Sequence, residues 1–386
     1  LAVDFLWEYR KKLSEPQLDA LLGHAGSQNA LWLKVALEEL RLFGSFELLG
    51  PKIASLDATV EGLFDQVLAR IEGDHTGVFP VAEGLALVAA SRYGLAESEL
   101  LELTGPEVPA LAWARVRRSL AAYLLQRGEL FDFAHPRLDE AATTRYAVGK
   151  AHHIRLADYF GGDNIPLLRH VTERPWQLQQ AQAWELLQIE LVGPDVVDWM
   201  AKERQAHQWL AYWRSLEGQY EPAKSVLEFA NELGSIAPTA FARYAHQAGM
   251  LLDQAGLRDA ALQLYERAED YKLRYSATDD PNLARGQISL ASLYEELGRT
   301  DEALVRSQEA LASLERTLGP DHIDTTKARA VLGGILVEAG QGEKALPLLR
   351  AALTGLEHLE GAGHRDVGVT HIKLGQALQL LGRSEE

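Results

Sequence analysis

Along the second half of the chain, apolar and small positions return with a helical period that glycine breaks at regular intervals. Leu290, Leu293, Tyr294 and Leu297 fall at i, i+3, i+4 and i+7. Beyond Gly298, the residues Ala303, Leu304, Ser307, Leu311, Leu314 and Leu318 keep one narrow face small or apolar, which predicts a pair of helices joined at the glycine. The same text recurs. Gly256–Leu262, Gly298–Leu304 and Gly340–Leu346 lie 42 residues apart, Gly382 opens a further copy with Arg383, Ser384 and Glu385, and a fainter copy begins at Gly218. Each glycine suits a left-handed helix end, the acidic residue three positions on suits a first turn, and Leu318, Gly319 and Pro320 close the second helix. Self-similarity of this kind predicts stacked helical hairpins, because one hairpin cannot bury its apolar face alone.

The first half is not repetitive. Its pattern predicts helices over Glu15–Leu22, Ala30–Phe43 and Leu56–Ile71, with a polar stretch at Gly26–Asn29 between the first two. From Pro80 the order is helix (Val81–Ser91), helix (Glu97–Leu103), helix (Leu111–Tyr123), then two short runs, Tyr123–Gln126 and Glu129–Phe133, with Arg127-Gly128 as a hairpin turn. Three helices followed by a β-hairpin is the order of a winged helix. Another helix begins near His135-Pro136. Residues 152–213 are helical again and hold Trp176, Trp184, Trp199, Trp209 and Trp213, whose helical spacing reads as core. The expected fold class is all-α with one small β-hairpin.

The repeated half resembles the tetratricopeptide repeat, in the longer 42-residue form of kinesin light chains. The resemblance covers residues 205–386 and rests on small residues at Gly249, Ala291, Gly333 and Gly375, at Ala261, Ala303 and Ala345, and at Ala268, Ala310 and Ala352. It implies a right-handed superhelix whose inner groove takes a protein or peptide. By the family's register the groove positions are Arg243, His246 and Met250, then Arg285, Ile288 and Ser292, then Lys327, Ala330 and Gly334, with Ile372 and Gln376 in the last copy. Arg243, Arg285 and Lys327 would form a basic stripe able to attract an acidic peptide. The Lys-Asn-Asn pattern of carboxylate-clamp repeats is missing.

Residues 1–190 are similar to the second half of the nucleotide-switch module of STAND ATPases, the NACHT and apoptotic-ATPase group. The text that carries this is Asn29–Val35 with Glu38–Arg41, Ser91–Leu95 with Glu99 and Leu100, Phe133–Leu138, Arg155–Phe160 and Arg174–Leu178. The resemblance implies a helical segment over residues 1–50, a winged helix over 51–160, a connector over 161–204 and the repeat superhelix over 205–386, its last copy truncated. It also implies that a histidine just after the wing contacts the diphosphate of ATP or ADP held by an adjoining NTPase domain, and His135 is the match. The chain departs from the family pattern at Ala30, where proline is common, and at Ala134-His135-Pro136, which replaces Met-His-Asp. Read alone, His135 is a first-turn residue of an ordinary helix.

Composition narrows the function classes. Of 386 residues, 38 are Lys or Arg, 55 are Asp or Glu and none is Cys, so thiolate chemistry is excluded and the charge of −17 opposes nucleic-acid binding. No apolar run is long enough to span a bilayer, and a cytoplasmic address is expected. The nearest P-loop text ends at Gly149-Lys150-Ala151, with Thr144 in place of the leading glycine and Ala151 in place of the hydroxyl residue, so it fails. Asp279-Asp280 follows a polar segment rather than a strand, and no cofactor or metal site is expected in this chain. Glu38-Glu39 and Glu295-Glu296 read as solvated helix faces rather than acid/base pairs, and the adjacent His152-His153 point to different sides of a helix. Arg115, Arg117 and Arg118 lie on the third helix of the winged unit, where a DNA reader would carry them.

The chain starts at Leu1 and stops just after a turn signal, so we read it as an excerpt. The expected function is non-catalytic: repeats that capture a protein trigger and a winged helix that relays the event to an ATPase domain, with oligomerisation on activation compatible. A static repeat scaffold and a repeat-bearing winged-helix transcription regulator are the alternatives.

Overall fold

The computed structural model describes residues 5–7, 9, 11–105, 108–216, 218–275 and 280–383. The Asp279 half of the paired acids and the Ser384-Glu385 opening of the last copy lie outside them. The fold is predominantly helical with one three-stranded sheet, and the chain divides into two compact units, Leu1–Leu187 and Gln188–Glu386.

Unit 1 opens with helix α1 (Glu15–Leu22), whose Gln17 carboxamide accepts the Ser14 N–H at 2.9 Å. The polar stretch that follows is a 3-10 turn, and Asn29 then caps α2 (Ala30–Leu42) by accepting from the N–H groups of Leu31 and Trp32. The helix predicted over Leu56–Ile71 is present as α4 (Val60–Asp74), starting four residues later, and a short helix absent from the sequence expectation, α3 (Leu49–Ala54), precedes it. Local hydrogen bonding sets the late start. The Asp57 carboxylate accepts from both the N–H and the hydroxyl of Thr59, and Thr59 in turn caps α4 through the N–H of Gly62. Leu56 is buried, but from a loop.

Next come α5 (Val81–Ala90), strand β1 (Leu95–Ala96), α6 (Glu97–Thr104), α7 (Ala110–Ser119), β2 (Leu124–Arg127) and β3 (Leu130–Phe133). The sheet is antiparallel in the order β1-β3-β2. Two details differ from the sequence expectation. Arg127 pairs with Leu130, so the hairpin loop is Gly128-Glu129 rather than Arg127-Gly128, with Gly128 supplying the positive φ that its first position needs. The two-residue strand β1 is too short to leave a periodic signal. Helices α8 (Pro136–Arg145), α9 (Lys150–Phe160) and α10 (Leu167–Ala181) complete the unit around a core that includes Trp32, Phe64, Trp113 and Phe160.

Glu38 and Glu39 are not a solvated face. Both are buried: Glu39 holds Arg70 through two bonds of 2.7 and 2.8 Å and accepts from the Tyr123 hydroxyl at 3.1 Å, while Glu38 pairs with Arg41 at 2.7 Å. Burial, reinforced by the Glu39 carboxylate, pushes the Tyr123 hydroxyl well above its ordinary pKa. Another buried carboxylate, Glu173 on α10, accepts from the N–H groups of Arg92 and Tyr93, from Gln177 and from Arg169, which itself grips Glu99 through two bonds. Buried acids thus hold helices of unit 1 together.

In unit 2, α12 (Pro194–Lys202), α13 (Ala206–Ser215) and α14 (Pro222–Ile236) lead into the repeats, following α11 (Trp184–Val192), which crosses the division between the units. Trp209 and Trp213 are core, with the Trp209 indole N–H donating to the Leu191 carbonyl at 3.0 Å, whereas Trp176, Trp184 and Trp199 are half-buried. The repeat hairpins are α15 (Pro238–Gln254) with α16 (Arg258–Tyr275), α17 (Pro281–Glu296) with α18 (Thr300–Thr317), and α19 (Ile323–Glu338) with α20 (Gly342–Glu360); α21 (Arg365–Leu380) follows as the first helix of a fourth copy.

Gly256, Gly298, Gly340 and Gly382 take φ values of 78°, 74°, 71° and 68°. At each of them the next N–H reaches back across the turn, Leu257 to Leu252, Arg299 to Tyr294, Gln341 to Leu336 and Arg383 to Leu378, so the same C-cap is built four times. The small positions do what close approach requires. A side chain at Gly249 or Gly333 would strike Tyr265 or Leu349 of the paired helix, and Ala261, Ala291, Ala303, Ala310, Ala345 and Ala352 are fully buried.

Candidate functional site

Within unit 2 successive first helices, α15, α17, α19 and α21, pack against one another, and more extensively than the second helices of the later copies do. Stacked elements that touch along one edge and separate along the other must curve toward the touching edge, which puts the first helices on the inside. Lys373 shows how tight the curve is. From α21 its ammonium reaches Glu338 on α19 at 3.0 Å and Glu295 on α17 at 2.9 Å, and its stem packs over Gly334.

The groove positions named from the sequence therefore lie on first helices. Met250, Ile288, Ser292 and Ala330 are half-buried, Gly334 is covered by Lys373, and Ile372 and Gln376 are exposed, Ile372 at 65%. The basic stripe is partly neutralised from within. Arg285 pairs with Asp324 at 2.6 Å, and Lys327 pairs with Glu360 at 2.7 Å and Asp366 at 3.4 Å. In both cases one carboxylate lies 39 residues on, at the head of the next first helix, and Lys327 has Glu360 at the end of α20 as well. The corresponding position for Arg243 is Asn282, so of the three cations Arg243 alone has no carboxylate partner among the described residues. These bridges are exposed and add little to stability. Arg285→Ala should cost the array under about 1 kcal/mol, measured by thermal unfolding.

His246 departs from this exposed pattern. Burial foremost, and then the charges of Lys272 and Arg285, press its pKa down from 6.5 to about 4, and its Nδ1 atom is sealed from solvent with no hydrogen-bond partner. The register put His246 among the groove residues but gave no sign of its surroundings. Lys272, on the second helix α16, was not singled out. Comparing the copies finds it at once, because it stands where the next two copies have Leu314 and Leu356, both fully buried.

In unit 1, His135 is the N-cap of α8. Its Nδ1 accepts from the Arg137 N–H at 3.1 Å, and its ring borders a cavity of about 80 Å³ lined by Lys34, Val35, Glu38, Phe64 and Tyr123. His322 and His364 cap α19 and α21 in the same way, so capping is a recurrent task of histidine in this chain. With Nδ1 accepting, the neutral ring carries its proton on Nε2, which has no partner among the described residues. Arg115 and Arg118 are exposed on α7, while Arg117 meets Glu97 at 3.4 Å and lies over the Phe131 ring. Among the described residues one cluster has metal-ligand chemistry, Glu360, His364 and Asp366, and the Lys327 ammonium already bridges its two carboxylates. The adjacent His152 and His153 make separate bonds, to the Gly149 N–H and to Gln177. Among the described residues no helix is long and apolar enough to cross a membrane.

The tetratricopeptide repeat family model matches residues 282–357. The chain carries tetratricopeptide repeats, which are non-catalytic interaction scaffolds. It is 24% identical over 357 residues, 85% of its length, to a TPR repeat-containing protein of Dictyostelium discoideum, and 32% identical over 251 residues, 48% of its length, to NACHT domain- and WD repeat-containing protein 1 of Mus musculus. The matched regions cover 21% and 15% of those relatives, so the chain corresponds to a minor part of each. Among solved structures it is similar to a signal transduction ATPase with numerous domains that carries a tetratricopeptide repeat sensor, from Pyrococcus horikoshii, at 13% identity and a TM-score of 0.40, over 98% of this chain and 62% of that one.

Proposed function

We propose that this chain is the sensing and relay region of a STAND-type switch protein. The repeats of unit 2 take up a protein partner on their inner face, and the helices and hairpin of unit 1, read as a winged helix, pass the event to an NTPase domain outside this chain. The observation that carries the first half is the recurrence of groove positions on first helices that pack side by side and curve inward. Identity to a NACHT-domain protein supports the second half, as does the Nε2–H of His135, which has no partner among the described residues and is a donor suited to a nucleotide phosphate. A cytoplasmic address and oligomerisation on activation belong to the same reading. The relay requires that the partner bind the open and closed arrangements with different affinity, since equal binding shifts nothing.

The test is a display selection of random peptides against the full chain. Selected peptides should lose at least about tenfold in affinity when Met250 or Ile288 becomes Glu, the weight of a buried apolar contact replaced by a charge, and keep it when exposed Val305 on the outer helix α18 does. Bound peptide should also change hydrogen exchange across residues 124–145. Peptides that cross-link only to outer helices would overturn the groove reading, and unaltered exchange over the hairpin would leave the scaffold reading in its place. A DNA-reading role, the third possibility raised by Arg115, Arg117 and Arg118, predicts a gel shift at low salt that Arg118→Glu abolishes.

A further inference from the structure

The repeats are close copies, so a position where one copy breaks the shared chemistry asks for a reason. The junction between the first two hairpins breaks it three times. Lys272 replaces the buried leucines Leu314 and Leu356, His246 stands where Ile288, Ala330 and Ile372 follow, and Gly286 replaces Ala328 and Thr370. The three changes meet at one point. Among the described residues, and apart from its own helix, a Cβ on Gly286 would meet the Lys272 Nζ at 3.6 Å and the His246 Nδ1 at 4.0 Å.

This niche holds more donors than the fold uses. Among the described residues the Lys272 ammonium makes one bond, to the Asn282 carbonyl at 2.8 Å, and no carboxylate pairs with it. Burial pulls its pKa down and the nearby Arg285 adds to the effect, with Asp280 acting in the opposite sense. His246 Nδ1 is unpartnered. Arg285, itself paired with Asp324, adds positive charge nearby. A half-buried cation with spare N–H groups, beside a sealed imidazole nitrogen without a partner and the bare Cα of Gly286, is a set of donors that an anion would complete.

Resting on the groove reading above, we infer that the niche formed by Lys272, His246 and Gly286 is a binding site for a carboxylate of the partner, supplied by an acidic side chain or by a chain terminus. The lysine gives charge-assisted bonds, the imidazole gives a further donor, and the missing side chain of Gly286 gives the oxygens room. The placement of Lys272 on the second helix, where the later copies carry core leucines, and its lack of a carboxylate partner among the described residues set it apart from the paired cations on the groove surface.

The repeat array itself supplies the test variants. Lys272→Leu and Gly286→Ala install what later copies carry at these positions, so both should fold with unchanged or raised melting temperature. Fluorescence titration of the full chain uses three versions of one labelled peptide: acidic side chains with an amidated end, neutral side chains with a free terminal carboxylate, and neutral side chains with an amidated end. At least one carboxylate-bearing version should bind more tightly than the neutral amide, and both variants should weaken it by about 10- to 100-fold, the weight of a charge-assisted hydrogen bond. Which version binds identifies the source of the carboxylate. Equal binding of all three versions, or equal binding by wild type and Lys272→Leu, would overturn the niche. If peptides still bind and Ile288→Glu abolishes that binding, the groove reading survives without it. A fall in melting temperature with affinity unchanged would instead assign Lys272 a purely structural role.

Discussion

Replacing Gly94 with alanine should cost unit 1 about 3 kcal/mol, because two independent penalties fall on one residue. Its backbone sits at φ +85°, where an L side chain pays roughly 1–2 kcal/mol. The added Cβ would also lie 2.3 Å from the Phe131 carbonyl oxygen and 2.8 Å from its carbon, and these atoms belong to the central strand β3 rather than to a flexible side chain. Moving that strand disturbs the register Leu95↔Phe131 and costs what overpacking costs, about 1–3 kcal/mol. For a unit of this size the loss corresponds to a melting-temperature drop of roughly 6–12 °C, which calorimetry of the full chain resolves. Gly77→Ala separates the two penalties. Gly77 has φ +73° but open space around it, so only the conformational part, about 1 kcal/mol, should appear. Equal losses at the two sites would mean that β3 does not press on Gly94.

The sequence displayed the parts of this molecule that depend on local or periodic chemistry. The hairpins of unit 2 were legible because the Gly256, Gly298 and Gly340 caps, the alanines of the helix contacts and the leucine stripes all repeat at one interval, so each copy corroborates the others. What it concealed depends on contacts between residues far apart in the chain. Glu39 looks like half of a solvated pair until Arg70, 31 residues on, and Tyr123, 84 residues on, are seen to enclose it. Glu173 is likewise silent until Arg92 and Tyr93 present their amides to it. The pairing of Arg285 and Lys327 falls between these cases. Both partners, Asp324 and Asp366, were visible at a constant offset of 39, but only the packing of successive first helices brings that offset into contact.

Acid should weaken the repeat unit through His246 specifically. Its pKa is depressed from 6.5 to about 4 because the ring is buried beside Lys272 and Arg285, with Tyr265 against its face at 5.7 Å. For a group whose folded pKa lies below its unfolded value, the contribution to stability is complete above the unfolded pKa. It is lost as pH falls through the folded one. The window is therefore pH 6.5 down to about 4, and the loss across it is on the order of 3 kcal/mol from this residue, because the unfolded chain binds a proton that the folded ring refuses. His246→Ile, the residue that the next copy carries as Ile288, removes the proton acceptor while keeping the side chain apolar. Hydrogen exchange over residues 238–275, measured across this pH range after correction for intrinsic rates, should show protection falling steeply in the wild type and less steeply in the variant. Parallel slopes would mean that His246 is protonated in the folded chain, which would turn the lysine-histidine junction from a partly charged niche into a fully cationic one. A carboxylate that stays ionised across this range gains a positive charge beside it when the ring is protonated. The same acid that loosens the free array should then strengthen its hold on an acidic ligand, and the two opposing slopes, one in stability and one in affinity, trace to a single imidazole.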